Sequence, residues 1–148
     1  LDLTGLLDTP NMRFSEAQIK LYIFQILTGL HYCHNNQILH RDIKLANLFL
    51  TEDHEVKIGD FGLARSFTGQ DQTYTNRVIT LWYRPPELLM GETRYSTEID
   101  IWSVGCIFAE MLCRKPLFPG REENNATQCE IIFQVRTIPS FLSLFALN

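Results

Sequence analysis

Apolar residues recur at every third or fourth position in the first part of the chain, which is the spacing of an amphipathic helix. The stripe consists of Ile19, Tyr22, Ile23, Ile26, Leu27 and Leu30. Ser15 and Gln18 precede it as a capping box, in which two side chains three positions apart satisfy each other's backbone N–H groups. The pattern predicts a long helix that begins after Ser15, ends near Asn36 and buries one face. A shorter helix, followed by a loop, is predicted for residues 2–8.

Hydrophobic residues fall on every side of the stretch Ile99–Leu112 when it is drawn as a helix. This pattern predicts a helix that is buried all round, at the centre of the fold. Asp100 lies in its first turn, where the helix dipole favours a carboxylate. The prolines and glycine of segment 115–120 end this helix, and another is predicted for residues 126–135. Residues 62–80 are polar and lack periodicity, which indicates a loop.

Two short apolar runs, Leu48–Leu50 and Val56–Ile58, flank a polar turn. This arrangement predicts a β-hairpin. The hairpin would hold Asn47 and Asp60 at its two outer ends, so that these two polar side chains lie close together in space. The expected fold class is therefore mainly α-helical with short β hairpins.

The composition limits the possible functions. With 148 residues and 45% hydrophobic content, the chain can bury a single core. Its net charge of −4 provides no basic surface for nucleic acid, and it has no run of about 18 apolar residues that would predict a membrane span. The chain opens on Leu1 without the segments of a secretory leader, and we expect an internal fragment. Four cysteines without a C-x-x-C pair favour a reducing compartment.

A compact polar group lies between His40 and Asn47, with apolar residues on both sides that would anchor it to a core. The carboxylate of Asp42 suits the acceptance of a proton from a hydroxyl. The ammonium of Lys44 suits an anionic group in transfer, and the amide oxygen of Asn47 suits a hard cation such as Mg²⁺. For these residues alone, a charged surface turn between two buried segments is the alternative interpretation.

Two further motifs follow this group in order, Asp60-Phe61-Gly62 and Arg84-Pro85-Pro86-Glu87. Together the three motifs resemble the catalytic loop, the magnesium-binding triplet and the end of the activation segment of protein kinases. The resemblance implies the C-terminal, or large, lobe of the kinase fold. It implies that residues 1–148 are a partial kinase domain, from just after the hinge to about the family's helix G. Residues 140–148 do not resemble the family.

The resemblance assigns roles to the polar side chains. In kinases the residue that matches Asp42 deprotonates the acceptor hydroxyl, and the one that matches Lys44 stabilises the γ-phosphate of ATP. Asn47 and Asp60 match the Mg²⁺ ligands. The residues that match nucleotide-binding positions are Asp2 at the ribose, Phe49 under the adenine, Lys44, Asn47 and Asp60. The implied cofactors are ATP and Mg²⁺. Thr80 is expected to hydrogen-bond into the catalytic loop, and Asp100 to hold the backbone of that loop.

The segment Tyr74–Leu89 resembles cyclin-dependent serine/threonine kinases, and within them the transcription-associated branch that acts on the C-terminal domain of RNA polymerase II. The resemblance implies a cyclin partner, protein substrates that include that domain, and a nuclear location with a cytoplasmic pool as the alternative. From the net charge and the lack of a long apolar run, we expect no direct nucleic-acid or membrane partner. Val78, Ile79 and Arg84 match a pocket that prefers proline after the acceptor residue.

Thr75 matches the activating phosphorylation site of these kinases. Arg41 and Arg65 match two of the arginines that clamp the phosphate, which brings about −1.5 to −2 charges and three acceptor oxygens. Thr73 and Tyr74 are the competing phosphorylation sites in the same segment.

Two other functions remain open from the sequence. The chain could be a catalytically inactive kinase fragment that acts only as a binding module. It could also be a metal-binding helical module. The residues considered for such a metal site are His31, Cys33, His34 and His40. The spacing of these residues favours packing and surface positions, since a zinc site requires a fourth ligand at suitable spacing.

Overall fold

The computed structural model describes residues 1–67, 72–121 and 124–135. Its helices and strands are α1 (Leu3–Asp8), α2 (Glu16–Asn35), β1 (Ile38–Leu39), β2 (Leu48–Leu50), β3 (Val56–Ile58), β4 (Arg65–Ser66), α3 (Pro86–Leu89), α4 (Glu98–Cys113) and α5 (Asn125–Val135). Short 3₁₀ turns occupy residues 45–47, 61–63 and 81–83. The tail at 140–148, and residues 68–71 of the expected loop, lie outside the described residues.

Helix α2 begins as the sequence predicts. The Ser15 hydroxyl accepts a hydrogen bond from the backbone N–H of Gln18 at 3.2 Å, and the Gln18 side chain accepts one from the N–H of Ser15 at 2.9 Å. Tyr22 and three aliphatic residues of the stripe are buried, whereas Leu27 is 40% exposed. The prediction that Leu27 belongs to the buried face is therefore wrong, because the core contacts a narrower stripe of the helix.

The hairpin is confirmed as an antiparallel pair of β2 and β3, with Leu48 opposite Ile58. The backbone N–H of Gly59 donates to the carbonyl of Asn47 at 2.9 Å, so the pairing continues to the outer ends of the two strands. A second antiparallel pair, β1 with β4, was not expected. Each of its strands has two residues, which is too short for an alternating pattern to show in the sequence.

Helix α4 packs against α2 and against the turn at 81–83. Its first turn carries Asp100, which is fully buried. The prediction that α4 is buried all round is wrong, because Ile101 is 47% exposed and Leu112 is 41% exposed. The elements that α4 contacts leave this side of the helix open to solvent, although its residues are as apolar as those of the buried side. Among the described helices, none is both long and apolar enough to cross a membrane.

Candidate active site

Asp100 anchors the loop that carries the polar group. Its carboxylate accepts the backbone N–H of His40 at 3.0 Å and that of Arg41 at 2.9 Å. Its Oδ2 atom also lies 2.9 Å from Nε2 of His34 on helix α2. These contacts confirm the predicted backbone-holding role of Asp100. They also fix Arg41 in the left-handed region, at φ 66°, where a non-glycine residue rarely lies without such support.

His40 is fully buried beneath the loop. Its Nδ1 atom accepts the backbone N–H of Asp42 at 3.3 Å, which places the ring proton on Nε2. That nitrogen then donates to the carbonyl of Gly59 at 2.9 Å. His40 therefore connects the loop at residues 40–47 to Gly59, the residue that precedes Asp60.

The carboxylate of Asp42 is surrounded by donors. Lys44 Nζ lies 2.8 Å from Asp42 Oδ2 and 3.1 Å from the hydroxyl of Thr80. Thr80 donates to Asp42 Oδ1 through its hydroxyl at 3.1 Å and its backbone N–H at 3.3 Å, which confirms that Thr80 bonds into the loop. Burial acts to raise the pKa of Asp42, but the hydrogen bond and charge of Lys44, with the bonds from Thr80, lower that pKa below its usual value. The carboxylate is therefore ionised at neutral pH.

Asn47 fits a role as a magnesium ligand. Its amide nitrogen donates to the backbone carbonyl of Asp42 at 2.8 Å and to Asp42 Oδ2 at 3.1 Å. Since both of these bonds use the nitrogen, the amide oxygen is the atom left to face a cation. Asp60, at the other end of the hairpin, is exposed and in the left-handed region with φ 56°. A carboxylate and an amide oxygen are ligands that Mg²⁺ accepts, so this pair fits the ion.

The residues matched to nucleotide contacts lie on neighbouring elements. Asp2 forms an isolated antiparallel bridge with Phe49, so the start of the chain lies beside strand β2. One oxygen of Asp2 caps α1 by accepting the N–H of Gly5 at 2.8 Å. The Phe49 ring is 44% exposed and covers Gly59, where an added Cβ atom would lie 2.6 Å from the ring. A side chain at residue 59 would therefore force the Phe49 ring to shift.

Arg84 is buried and holds the backbone of the expected substrate pocket. Its Nε atom donates to the carbonyls of Val78 at 3.0 Å and Ile79 at 3.1 Å, and its Nη2 donates to Ile79 at 2.9 Å. Ile79 lies in the left-handed region at φ 67°. Arg84 Nη1 also donates to the side chain of Asn125 at 2.9 Å. Sequence reasoning missed Asn125, because it lies 41 residues away and belongs to no motif.

The residues of the expected phosphate clamp are in different environments. Arg41 is only 2% exposed and donates through Nε to the carbonyl of Leu63 at 2.8 Å. Arg65 is exposed and donates to the carbonyl of Ala64 at 2.7 Å. The Thr75 hydroxyl accepts the backbone N–H of Arg77 at 3.3 Å. No direct contact between the Thr75 hydroxyl and either clamp arginine occurs among the described hydrogen bonds.

The residues considered for a metal-binding module point to separate partners. His34 contacts Asp100, His40 contacts Gly59, and His31 lies 2.9 Å from the amide nitrogen of Asn35. Within residues 1–67, 72–121 and 124–135, no three His, Cys, Asp or Glu side chains form a group that could hold a metal ion. The donor set of that hypothesis is therefore not assembled in the described part of the chain.

A buried loop aspartate, a lysine, an asparagine and a second aspartate at the end of a hairpin form the arrangement that the resemblance to protein kinases predicts. The protein kinase domain model matches residues 2–144, and the chain belongs to that family. Its fold is that of the large lobe. It is 58% identical over 139 residues to cyclin-dependent kinase C-1 of Oryza sativa subsp. japonica, covering 93% of this chain and 26% of that protein. It is 62% identical over 125 residues to cyclin-dependent kinase C-2 of Arabidopsis thaliana, covering 83% of this chain and 24% of that protein.

A solved structure is also similar to the chain. It is the crystal structure of the yeast RNA Pol II CTD kinase CTDK-1 complex, with a TM-score of 0.84 and 42% identity over 97% of this chain and 48% of that chain. The relatives confirm the resemblance to cyclin-dependent kinases. The chain spans about a quarter of the length of the curated relatives it matches.

Proposed function

We propose that this chain supplies the catalytic large lobe of a cyclin-dependent-like serine/threonine kinase. The reaction transfers the γ-phosphoryl group of ATP to a serine or threonine hydroxyl of a protein. The observation that carries the proposal is the ionised Asp42 carboxylate, which Lys44 and Thr80 hold from two sides at distances of 2.8–3.3 Å. A carboxylate held in this way can orient a hydroxyl and accept its proton.

Each group has a distinct task in the proposed reaction. The acceptor oxygen forms a bond to the γ-phosphorus, the bond from that phosphorus to the ADP oxygen breaks, and the hydroxyl proton passes to Asp42. Lys44 places positive charge beside the phosphoryl group as negative charge shifts onto the leaving oxygen. Asn47 and Asp60 would hold Mg²⁺, which neutralises phosphate charge when it is bound. Positioning and electrostatics therefore account for the rate.

The pocket at Arg84 supports a preference for proline directly after the acceptor residue. Arg84 engages the carbonyls of Val78 and Ile79, and the left-handed Ile79 is part of that geometry. Because these carbonyls are already bonded to Arg84, they are poor acceptors for a substrate N–H at the next position. Proline has no backbone N–H and leaves no donor unpaired there. We propose that the substrates include the C-terminal domain of RNA polymerase II, since the structurally similar yeast kinase acts on a CTD.

Regulation follows the same family pattern in this proposal. Thr75 is the proposed activating phosphorylation site, with Arg41 and Arg65 as its clamp. The proposed partner is a cyclin, and the proposed location is the nucleus. Asp2 and Phe49 are proposed to contact the ribose and adenine of ATP, because both lie at the edge of the hairpin that carries the magnesium ligands.

The proposed reaction can be tested in a complete kinase domain, made by joining the small lobe of a cyclin-dependent kinase C relative in front of Leu1. We expect Asp42→Asn to abolish phosphoryl transfer to a Ser-Pro peptide and to leave the affinity for ATP within a few-fold of wild type. Asp42 faces the acceptor hydroxyl and not the nucleotide, so binding does not depend on its charge. Asp53→Asn, at an exposed position of the hairpin turn, is the matched control. Unchanged turnover in Asp42→Asn would remove this residue from the mechanism.

A second candidate function is that of a binding module without catalysis. It is favoured by the apolar residues exposed around the candidate site, among them Phe49 at 44%, Phe61 at 45% and Leu63 at 41%. Such a surface suits contact with another protein surface. We expect the 148-residue chain by itself to show no kinase activity. A binding module does not require a nucleotide, so calorimetric titration of the chain with Mg-ATP separates the two candidates. Robust turnover by the purified chain, measured separately, would rule the second candidate out.

A further inference from the structure

The hydroxyl of Tyr95 bridges two segments of the candidate site. Tyr95 is 6% exposed and belongs to none of the motifs that identified the family. Its hydroxyl oxygen accepts a hydrogen bond from Arg41 Nη1 at 3.0 Å. The same hydroxyl donates to the backbone carbonyl of Thr75 at 2.6 Å. One side chain therefore connects the catalytic-loop arginine to the proposed phosphorylation site.

Tyr74 completes the surroundings of Arg41. The guanidinium carbon of Arg41 lies 5.7 Å from the centre of the Tyr74 ring, and the rings of Tyr74 and Tyr95 are 5.1 Å apart. The Tyr74 hydroxyl donates to the carbonyl of Ser66, which fixes the ring against strand β4. The described partners of the buried Arg41 side chain are thus a carbonyl, a phenol and an aromatic face, all of them neutral.

The Tyr95 hydroxyl must be protonated to accept from Arg41 and donate to Thr75 at the same time. Burial raises the pKa of Tyr95, and this effect exceeds the opposing influence of Arg41. The phenol is therefore neutral at physiological pH. It holds the guanidinium without a charge of its own, so it does not compete with an anion for that group.

We propose that Tyr95 is a positioning residue that joins the catalytic loop to the activation segment at Thr75 before any phosphate is present. This inference rests on the proposed kinase function and on Thr75 as its activating site. Under it, phosphorylation strengthens an existing connection instead of creating one. The unphosphorylated enzyme consequently keeps a basal activity that depends on the Tyr95 hydroxyl.

The hydrogen bonds described for Arg41 leave donors for a phosphate. An arginine side chain has five N–H donors, and the two bonds to Leu63 and Tyr95 use one donor on Nε and one on Nη1. The remaining three donors of Arg41 can meet phosphate oxygens while Tyr95 keeps its bond. Because the Thr75 carbonyl is already fixed by Tyr95, the side chain that would carry the phosphate starts from a fixed backbone.

The test compares Tyr95→Phe with wild type in the complete kinase domain with its cyclin, each in a phosphatase-treated form and a Thr75-phosphorylated form. Tyr95→Phe keeps the ring and removes only the bridging hydroxyl. Loss of a hydrogen bond to a charged group is expected to lower kcat/KM of the unphosphorylated form by about tenfold or more. The phosphorylated form should lose less than about threefold, because the phosphate then supplies the connection. Tyr32→Phe, at a position 72% exposed on α2, is the matched control.

Two results would overturn the inference. An equal fall in both forms would show that Tyr95 only supports the fold, and no fall in either form would show that the bridge has no effect. If the wild-type domain is inactive in both forms, the proposed kinase function fails. In that case hydrogen exchange on the 148-residue chain still tests the Tyr95 bridge by itself. Faster amide exchange at residues 41–42 and 75–77 in Tyr95→Phe, but not in Tyr32→Phe, supports the bridge, and unchanged exchange there refutes it.

Discussion

Replacement of Asp100 by asparagine is expected to loosen the catalytic loop and to destabilise the whole chain. The fully buried carboxylate accepts two backbone N–H groups at 2.9–3.0 Å and contacts His34 at 2.9 Å. Asparagine has nearly the same shape but offers one acceptor oxygen and turns an NH₂ group toward the remaining donors. At least one buried backbone N–H therefore loses its partner.

The magnitude follows from these contacts. A hydrogen bond to a charged group contributes about 1.5–3 kcal/mol, and a buried donor left without a partner costs about 1–3 kcal/mol. We expect Asp100→Asn to lower the free energy of unfolding by about 3 kcal/mol. That is a large part of the ~5–15 kcal/mol typical of a domain. His34→Gln, which changes only the partly exposed partner, is expected to cost about 1 kcal/mol.

The assay is urea unfolding of the chain, followed by far-ultraviolet circular dichroism. With a urea dependence of about 1–3 kcal/mol per molar, Asp100→Asn should lower the unfolding midpoint by about 1–3 M. The exposed Asp53→Asn substitution controls for the change of charge. If Asp100→Asn does not fold, the smaller effect of His34→Gln still tests the reasoning. A loss below about 0.5 kcal/mol in both variants would refute the view that Asp100 holds the loop.

Three further predictions concern packing, pH and helix capping. Gly59→Ala should lower the free energy of unfolding by about 1–3 kcal/mol, because the new methyl group meets the Phe49 ring. Adding Phe49→Leu should restore part of that loss in a double-mutant cycle. Burial raises the pKa of Glu110 above its unfolded value by more than the hydrogen bond from Tyr83 lowers it, so ionisation of Glu110 opposes folding. Between the unfolded pKa and the raised folded pKa, the free energy of unfolding should therefore fall as the pH rises, and it should fall less in Glu110→Gln. Urea midpoints measured across that pH range test this. Ser15→Ala should cost about 1 kcal/mol in the same assay, whereas an equal midpoint would show that the capping box does not contribute.

Local rules in the sequence determined the elements that begin and end within a few residues. The Ser15–Gln18 capping box and the short hairpin are encoded by neighbours in the chain, so their positions could be predicted without knowledge of the rest. The motif from His40 to Asn47 carries its chemistry in the same way, since its residue types suit proton acceptance, phosphate charge and a hard cation. Together with Asp60-Phe61-Gly62 and Arg84-Pro85-Pro86-Glu87, which follow it in order, this motif indicated the kinase family from the sequence alone.

Only the tertiary structure decided which residues from distant parts of the chain contact each other. The hydroxyl bridge of Tyr95 spans 54 residues to Arg41, and the bond from Arg84 to Asn125 spans 41, distances over which the sequence has no periodic pattern. The exposure of Ile101 could not be predicted either, because apolar residues on all sides of a helix do not indicate which side neighbouring elements cover. Contacts of this kind depend on how the helices and loops pack together, and that packing is a property of the whole fold.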